Sequence, residues 1–157
     1  MSKYLLDTNT VIHYLQERRP VVERLNAAPK GSIHTSSIVV MEFSTGFAKR
    51  GKLNGKNKKK LDDIFKKFPP IDFDELDAYE TARTIGRMDL ENREDLHRDM
   101  MIASQAKRRG YIAVTNNTTD FYKAVGTMVE DWTIDLSAKS PLTKHKPTIS
   151  GKKSNRR

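Results

Sequence analysis

The chain has 157 residues, a length that suits one domain with its own hydrophobic core rather than two. It contains no cysteine, so disulfides, thiol nucleophiles and zinc–thiolate sites are excluded, and any metal must be held by oxygen or imidazole ligands. We expect a cytoplasmic protein without a membrane segment, because Asp7 follows only three apolar residues and no apolar run approaches the roughly 20 residues that cross a bilayer.

The net charge of +9 is concentrated in two runs, 49–60 and 139–157, which hold seven bases each and no acids. The other 15 bases are outnumbered by 20 acids, so the rest of the chain has a net charge of −5. An acidic body with two cationic patches suits a protein that binds polyanions and also gathers carboxylates around a metal. A solvated loop and a solvated tail are the simpler alternative for the two runs.

The first half of the chain alternates short apolar strands with helices that begin at polar capping residues. The first strand ends at Asp7, and the second is followed by a helix that contains Glu42. A third helix, apolar at helical spacing, stops at Pro69-Pro70. The predicted elements are strands at 3–6 and 33–35 and helices at 11–15, 38–49 and 61–68.

The second half continues the alternation. Asp74 is the predicted cap of a long helix, and residues 93–96 are expected to lie outside it, where the chain continues after its C-terminal end. The next helix carries Asp99 beside an apolar face and ends in basic residues before Gly110, which favour a helix C-terminus. A polar turn at 116–119 then leads to Asp120. The predicted elements are strands at 71–74, 111–115 and 132–134, the last at an edge, and helices at 75–91 and 99–109.

Strands that alternate with helices predict an α/β domain with a central, mainly parallel sheet flanked by helices. We expect this domain to span 1–138 and a disordered basic tail to occupy 139–157, where Lys, Ser, Pro, Thr and Gly dominate. Ligands of parallel sheets bind beyond the carboxyl ends of the strands. Polar residues that follow three different strands are therefore expected at one edge, namely Asp7, Glu42, Asn117 and Asp120.

Four acids are candidates for one site, although most have a simpler structural explanation. Asp7 suits a helix cap, Asp99 suits an exposed acid in a first helical turn, and Asp120 suits a cap or turn. Glu42 interrupts an apolar helix face, and a partly buried carboxylate needs a cation or donors to offset its desolvation. Clustered carboxylates are the ligands that Mg²⁺ uses when it also binds substrate phosphate.

Four motifs occur in order along the chain: LLDTNTVI at 5–12, SSIVVMEF at 36–43, DMMIASQA at 99–106 and VTNNTTDF at 114–121. Together they resemble those of the PIN-domain ribonucleases, and within them the VapC-type toxins of bacterial and archaeal toxin–antitoxin pairs. Glu130-Asp131-Trp132 resembles the usual ending of the family, so the resemblance spans roughly 3–135.

The resemblance implies a PIN-like fold and endonucleolytic cleavage of RNA by a metal-activated water. It implies that Asp7, Glu42 and Asp99 hold Mg²⁺, or Mn²⁺ as a substitute. Relatives often have an aspartate where this chain has Asn117. Asp120, three residues later, is expected to act as the outer acid of the metal site in its place.

The resemblance also assigns supporting residues and partners. Thr115 and Asn117 are expected to position water or Asp7, while Thr8 and Asn9 arrange the first loop. The family implies a homodimer and a small antitoxin whose C-terminal segment inserts into the active-site groove. Four arginines are candidates for contact with RNA phosphate or antitoxin carboxylates, since guanidinium groups bind both: Arg83, Arg87, Arg93 and Arg98.

Two other functions stay open at this point. One is a housekeeping PIN nuclease of RNA processing that has no antitoxin. The other is a catalytically silent RNA-binding module with structural acids, which the net charge of −5 outside the basic runs disfavours. A histidine metal site is not expected, because the four histidines lack a pairwise ligand spacing: His13, His34, His97 and His145.

Overall fold

The structure, a computed structural model, describes residues 1–126 and 128–136, so the predicted tail at 139–157 lies outside the described residues. None of the helices in the described ranges is both long and apolar enough to cross a membrane. The strands are β1 (Tyr4–Leu6), β2 (Ile33–Ser36), β3 (Pro70–Ile71), β4 (Ile112–Val114) and β5 (Val129–Glu130). The helices are α1 (Thr8–Leu15), α2 (Arg19–Ala27), α3 (Ser37–Ala48), α4 (Gly55–Lys67), α5 (Glu75–Arg87), α6 (Glu94–Arg109) and α7 (Thr118–Val125).

The strands form one sheet in the order β3-β2-β1-β4-β5, and every neighbouring pair is parallel. The predicted α/β class with a parallel sheet flanked by helices is therefore confirmed. Strand β1 lies at the centre, where Leu5 and Leu6 are fully buried between β2 and β4. All carboxyl ends lie along one edge, so Asp7 follows the central strand at the place where parallel sheets bind ligands.

Polar caps explain why the helices begin directly after the strands. The carboxylate of Asp7 accepts a hydrogen bond from the Thr10 amide and caps α1. The hydroxyl of Ser36 accepts one from the Ile38 amide and caps α3, which carries Glu42. Short connections of this kind hold both acids close to the sheet edge.

The predicted start of α6 was wrong. We expected 93–96 to connect the previous helix to this one, but α6 begins at Glu94. The acids Glu94 and Asp95 occupy its first turn, where the helix dipole favours negative charge. The preceding helix α5 ends earlier than predicted, at Arg87, and Asp89 then adopts a positive φ of 53°. Asp99 consequently lies in the second turn of α6 and is half-buried, rather than exposed in a first turn.

The last strand and one helix also differ from expectation. The edge strand was expected at 132–134, but β5 is Val129–Glu130. Trp132 lies beyond this strand, where its buried ring packs edge-on against Tyr4 at 5.0 Å between ring centroids. Helix α2 was not predicted, although Pro20 in its first turn is a typical helix-start signal. Helix α7 takes in Thr118 and Thr119, which we had expected in a turn.

A buried ion-pair cluster fixes the direction of α6 relative to α5. The side chain of Asp77 on α5 is fully buried and accepts hydrogen bonds from Arg108 Nε at 2.6 Å and Arg109 Nη2 at 3.0 Å, both on α6. Burial alone would raise the pKa of Asp77, but these arginines and the Asp74 amide bring the pKa below its ordinary value. The cluster anchors the C-terminal end of the helix that carries Asp99.

The Asp77→Asn variant should lower the free energy of unfolding by about 2–3 kcal/mol near neutral pH, since it leaves two arginines without their buried counter-charge. A depressed carboxyl pKa stabilises the fold above the ordinary pKa and ceases to do so as the pH falls. The difference between wild type and variant should therefore shrink in acid. Urea unfolding measures it, and equal stability of Asp77→Asn and the exposed control Asp72→Asn would contradict the role of the cluster.

Candidate active site

Asp7 is the most deeply buried acid at the carboxyl edge of the sheet, with 3% of its surface exposed. One carboxylate oxygen accepts from the Thr10 amide at 2.7 Å, and the other accepts from the Thr115 hydroxyl at 2.6 Å. Burial raises the pKa of Asp7 to about 6, the charge of Asp99 adds to this, and the hydrogen bonds from Thr115 and Thr10 oppose it. Asp7 therefore caps α1, as its position suggested, and is also an unusually basic carboxylate.

Glu42 on α3 has the partners that its partial burial requires. Its side chain is 23% exposed, and Arg98 Nε on α6 donates to one carboxylate oxygen at 2.8 Å. The Thr8 hydroxyl donates a short hydrogen bond to the other oxygen. Glu42 therefore links the first turn of α1 to the second turn of α6, and Thr8 helps to hold it, while Asn9 is exposed.

Asn117 connects two acids rather than contacting Asp7. Its side-chain amide donates to Asp99 at 3.1 Å and to Asp120 at 3.2 Å. Its backbone amide donates to the Thr115 hydroxyl at 3.0 Å, which in turn donates to Asp7. A carboxylate at position 117 would bring a third negative charge to this point and no side-chain donor, which explains how an uncharged residue suits it.

Asp99 interacts electrostatically with all the other candidate acids. Burial raises its pKa, the Asn117 amide opposes this, and the negative charges of Glu42 and Asp120 raise the pKa further. The charge of Asp99 also raises the pKa of Asp7. The structure thus brings the four acids into one electrostatic neighbourhood at the edge of the sheet.

The described residues contain no group of three or more Asp, Glu, His or Cys side chains already placed as the ligand set of one metal ion. Protein donors hold the carboxylates instead: Thr10 and Thr115 hold Asp7, while Asn117 lies between Asp99 and Asp120. The carboxylates of the four acids offer oxygen atoms, which are the ligands that Mg²⁺ and Mn²⁺ prefer.

Of the four candidate arginines, Arg98 alone forms an ion pair with one of these acids among the described residues, while Arg87 and Arg93 line a cavity with Asp120. Arg98 pairs with Glu42 and is 54% exposed. The others have partners elsewhere: Arg83 pairs with Glu80, Arg93 pairs with Asp95, and Arg87 donates to the carbonyls of Lys123 and Ala124 at the end of α7.

Lys49 lies beside the site and was not singled out from the sequence. It lines a groove together with Glu42 and Arg98. The sequence signal for this position was its spacing of seven residues from Glu42, because residues seven apart lie on the same face of a helix.

A model of the PIN domain matches residues 4–126, a span that includes all four acids. A tRNA(fMet)-specific endonuclease VapC of Shigella flexneri is 30% identical over 132 residues, which cover 84% of this chain and 99% of the relative. The chain belongs to the PIN-domain family, and within it to the VapC-type ribonucleases. The resemblance and the fold that it implied are therefore confirmed.

Other VapC proteins show the same extent of similarity to this PIN-domain chain. Ribonuclease VapC2 of Haemophilus influenzae is 29% identical over 134 residues, again with 84% of this chain and 99% of the relative covered. In the crystal structure of DNA-bound VapBC from Salmonella typhimurium, the matching chain is 31% identical, with a TM-score of 0.67 and coverage of 84% and 99%. The described fold of this PIN domain is thus that of whole VapC chains.

Burial of the Asp7 charge should make the metal-free protein less stable at neutral pH than in mild acid. A carboxyl with a raised pKa is favoured in its protonated form, so stability should fall as the pH rises from about 3.8 to about 6. Asp7→Asn removes this charge and keeps a residue that caps helices well. In EDTA, thermal unfolding should show Asp7→Asn more stable than wild type by about 1–3 kcal/mol near pH 7, and less stability than wild type there would contradict the burial cost.

Proposed function

We propose that this VapC-type nuclease cleaves RNA endonucleolytically with a metal-activated water and is the toxin of a toxin–antitoxin pair. Mg²⁺ is the proposed ion, with Mn²⁺ as a substitute, and Asp7, Glu42, Asp99 and Asp120 are the proposed ligands. One observation carries the proposal: a buried carboxylate with a pKa of about 6 faces a second half-buried acid at the ligand-binding edge of a parallel sheet.

The donor set suits a hard divalent cation. Carboxylate and amide oxygens bind Mg²⁺, and a cation among these acids would offset both their desolvation and their mutual repulsion. When bound, such an ion supplies a water of lowered pKa and neutralises charge on the phosphate and the leaving oxygen.

The residues of the site hold the carboxylates in fixed orientations. Thr115 and Thr10 leave Asp7 little rotational freedom, and the Thr8 hydroxyl does the same for Glu42. Asn117 sets the separation of Asp99 and Asp120 through its two hydrogen bonds. We therefore assign Asn117 and Thr115 as positioning residues, and Asp120, which is partly exposed, as the outer acid.

Structured RNA is the proposed substrate, and initiator tRNA is the first one to test. Two relatives, from Shigella flexneri and Salmonella typhimurium, are described as tRNA(fMet)-specific endonucleases. A small antitoxin is the proposed protein partner, supported by structural matches to toxin–antitoxin complexes such as VapBC. A homodimer and a cytoplasmic location, where RNA is the substrate, belong to the same proposal.

Metal-dependent cleavage is tested with purified protein, tRNA(fMet) and a fluorescent substrate RNA, with Mg²⁺ or Mn²⁺ and then with EDTA. Asp7→Asn and Asp99→Asn should each reduce kcat/KM more than about 100-fold, because the loss of a ligand exceeds the 10–100-fold effect of outer residues. Asn117→Ala should reduce kcat/KM by about 10–100-fold, and the exposed control Asp72→Asn should have the kcat/KM of wild type. Cleavage that survives both EDTA and Asp7→Asn would rule out the mechanism.

The toxin role is tested by expression in a bacterial host. Wild-type protein should arrest growth, and co-expression of the small gene beside it should restore growth. Expression of Asp7→Asn, which lacks a proposed metal ligand, should leave growth unchanged. A wild-type protein that cleaves RNA in vitro but leaves growth unchanged would favour the alternative, a housekeeping PIN nuclease of RNA processing.

A further inference from the structure

Residues 49–60 are here called the basic arm. They comprise the exposed connection that follows α3 and the first two turns of α4. The arm holds seven bases and no acid. Lys58 pairs with Asp62 at 3.0 Å, and Arg50 lies over the Phe47 ring at 5.5 Å. Among residues 1–126 and 128–136, no ion-pair partner is found for the other five: Lys49, Lys52, Lys56, Lys59 and Lys60.

The backbone of the arm is held in a defined turn. The Asn54 side chain caps α4, and the side-chain amide of Asn57 donates to the Lys52 carbonyl at 2.7 Å. Four lysines therefore lie at fixed places in the first two turns of α4, and no acid occupies its first turn. Cations are unfavourable at a helix N-terminus, whereas α5 and α6 begin with acids. Fold stability does not explain this charge, but an external polyanion would.

The arm is continuous with the candidate active site. Lys49 and Arg98 line one groove with Glu42, and its floor includes Gly46, which has no side chain to fill the space. Arg50 lines an adjoining depression with Glu42 and Thr8. Lys49 follows Glu42 by seven residues, a rise of roughly 10 Å along α3. A strand with a phosphate at the acids therefore has its neighbouring phosphates within reach of the arm.

We propose that the basic arm, together with the groove between Lys49 and Arg98, binds the RNA backbone on one side of the bond to be cleaved. This inference rests on the proposed ribonuclease function. Lysines act as mobile point charges without bidentate geometry, which suits a row of phosphates in any sequence. The arm offers a protein partner little, because Leu53 is its only apolar residue and stable interfaces need an apolar core.

The test compares two variants that each lose two positive charges. The arm variant carries Lys56→Gln and Lys59→Gln, and the control carries Lys30→Gln and Lys66→Gln at other exposed positions. Both are made in the Asp7→Asn background, so that RNA is bound without being cut. Binding to fluorescein-labelled tRNA and to a single-stranded RNA is followed by anisotropy over a series of salt concentrations.

The arm variant should bind both RNAs about tenfold more weakly, and its slope of log K against log salt should become shallower by about 1.5–2. The control should keep the affinity and slope of its parent. The melting temperature of the arm variant should stay level or rise, because the lost charges opposed the helix dipole. Equal affinities and slopes in arm variant and control would overturn the proposal.

Two further measurements separate this inference from the function on which it rests. With Asp7 intact, the arm variant should raise KM for RNA and leave kcat unchanged. If unmodified protein shows no metal-dependent cleavage, the ribonuclease proposal fails, while the binding comparison still tests the arm. Loss of antitoxin binding with unchanged RNA binding would assign the arm to a protein partner and contradict our proposal.

Discussion

The carboxylate of Asp7 is buried at the end of the central strand, and the rest of the site depends on how that charge is accommodated. Removing a carboxylate from water costs several kcal/mol unless donors or a cation compensate for it. The Thr10 amide and the Thr115 hydroxyl compensate in part, yet the pKa remains at about 6. A buried acid of this kind is a frequent feature of functional sites, because a bound cation or a proton can offset its unfavourable negative charge.

The neighbouring acids are separated by uncharged or cationic donors, which reduces the repulsion between their negative charges. Asn117 lies between Asp99 and Asp120, and Arg98 faces Glu42. Asn117 itself carries no charge, and Asp120, three residues later, is the acid that this segment contributes.

Much of this architecture follows from local sequence signals. Short strands followed at once by polar capping residues predict helices at these places, and therefore which edge receives Asp7 and Glu42. The predicted start of α1 was wrong, because Asp7 caps a helix that begins at Thr8 rather than at 11. Helical spacing placed Asp99 beside an apolar face, but the choice between a half-buried and an exposed carboxylate depended on where α6 begins, which the sequence did not indicate. The hydrogen bond between Asn117 and Asp99 and the groove beside Lys49 join different segments of the chain, and no local pattern contains them.

The most direct test of the central claim is a crystal structure of the protein with Mn²⁺, with the ion located by its anomalous scattering. We expect an ion with oxygen atoms of both Asp7 and Asp99 at about 2.1 Å, and with Glu42 or Asp120 bound directly or through water. An ion bound away from these residues, or Asp7 and Asp99 carboxylates more than about 10 Å apart, would contradict a shared metal centre, since ligand distances of about 2.1 Å cannot span that gap.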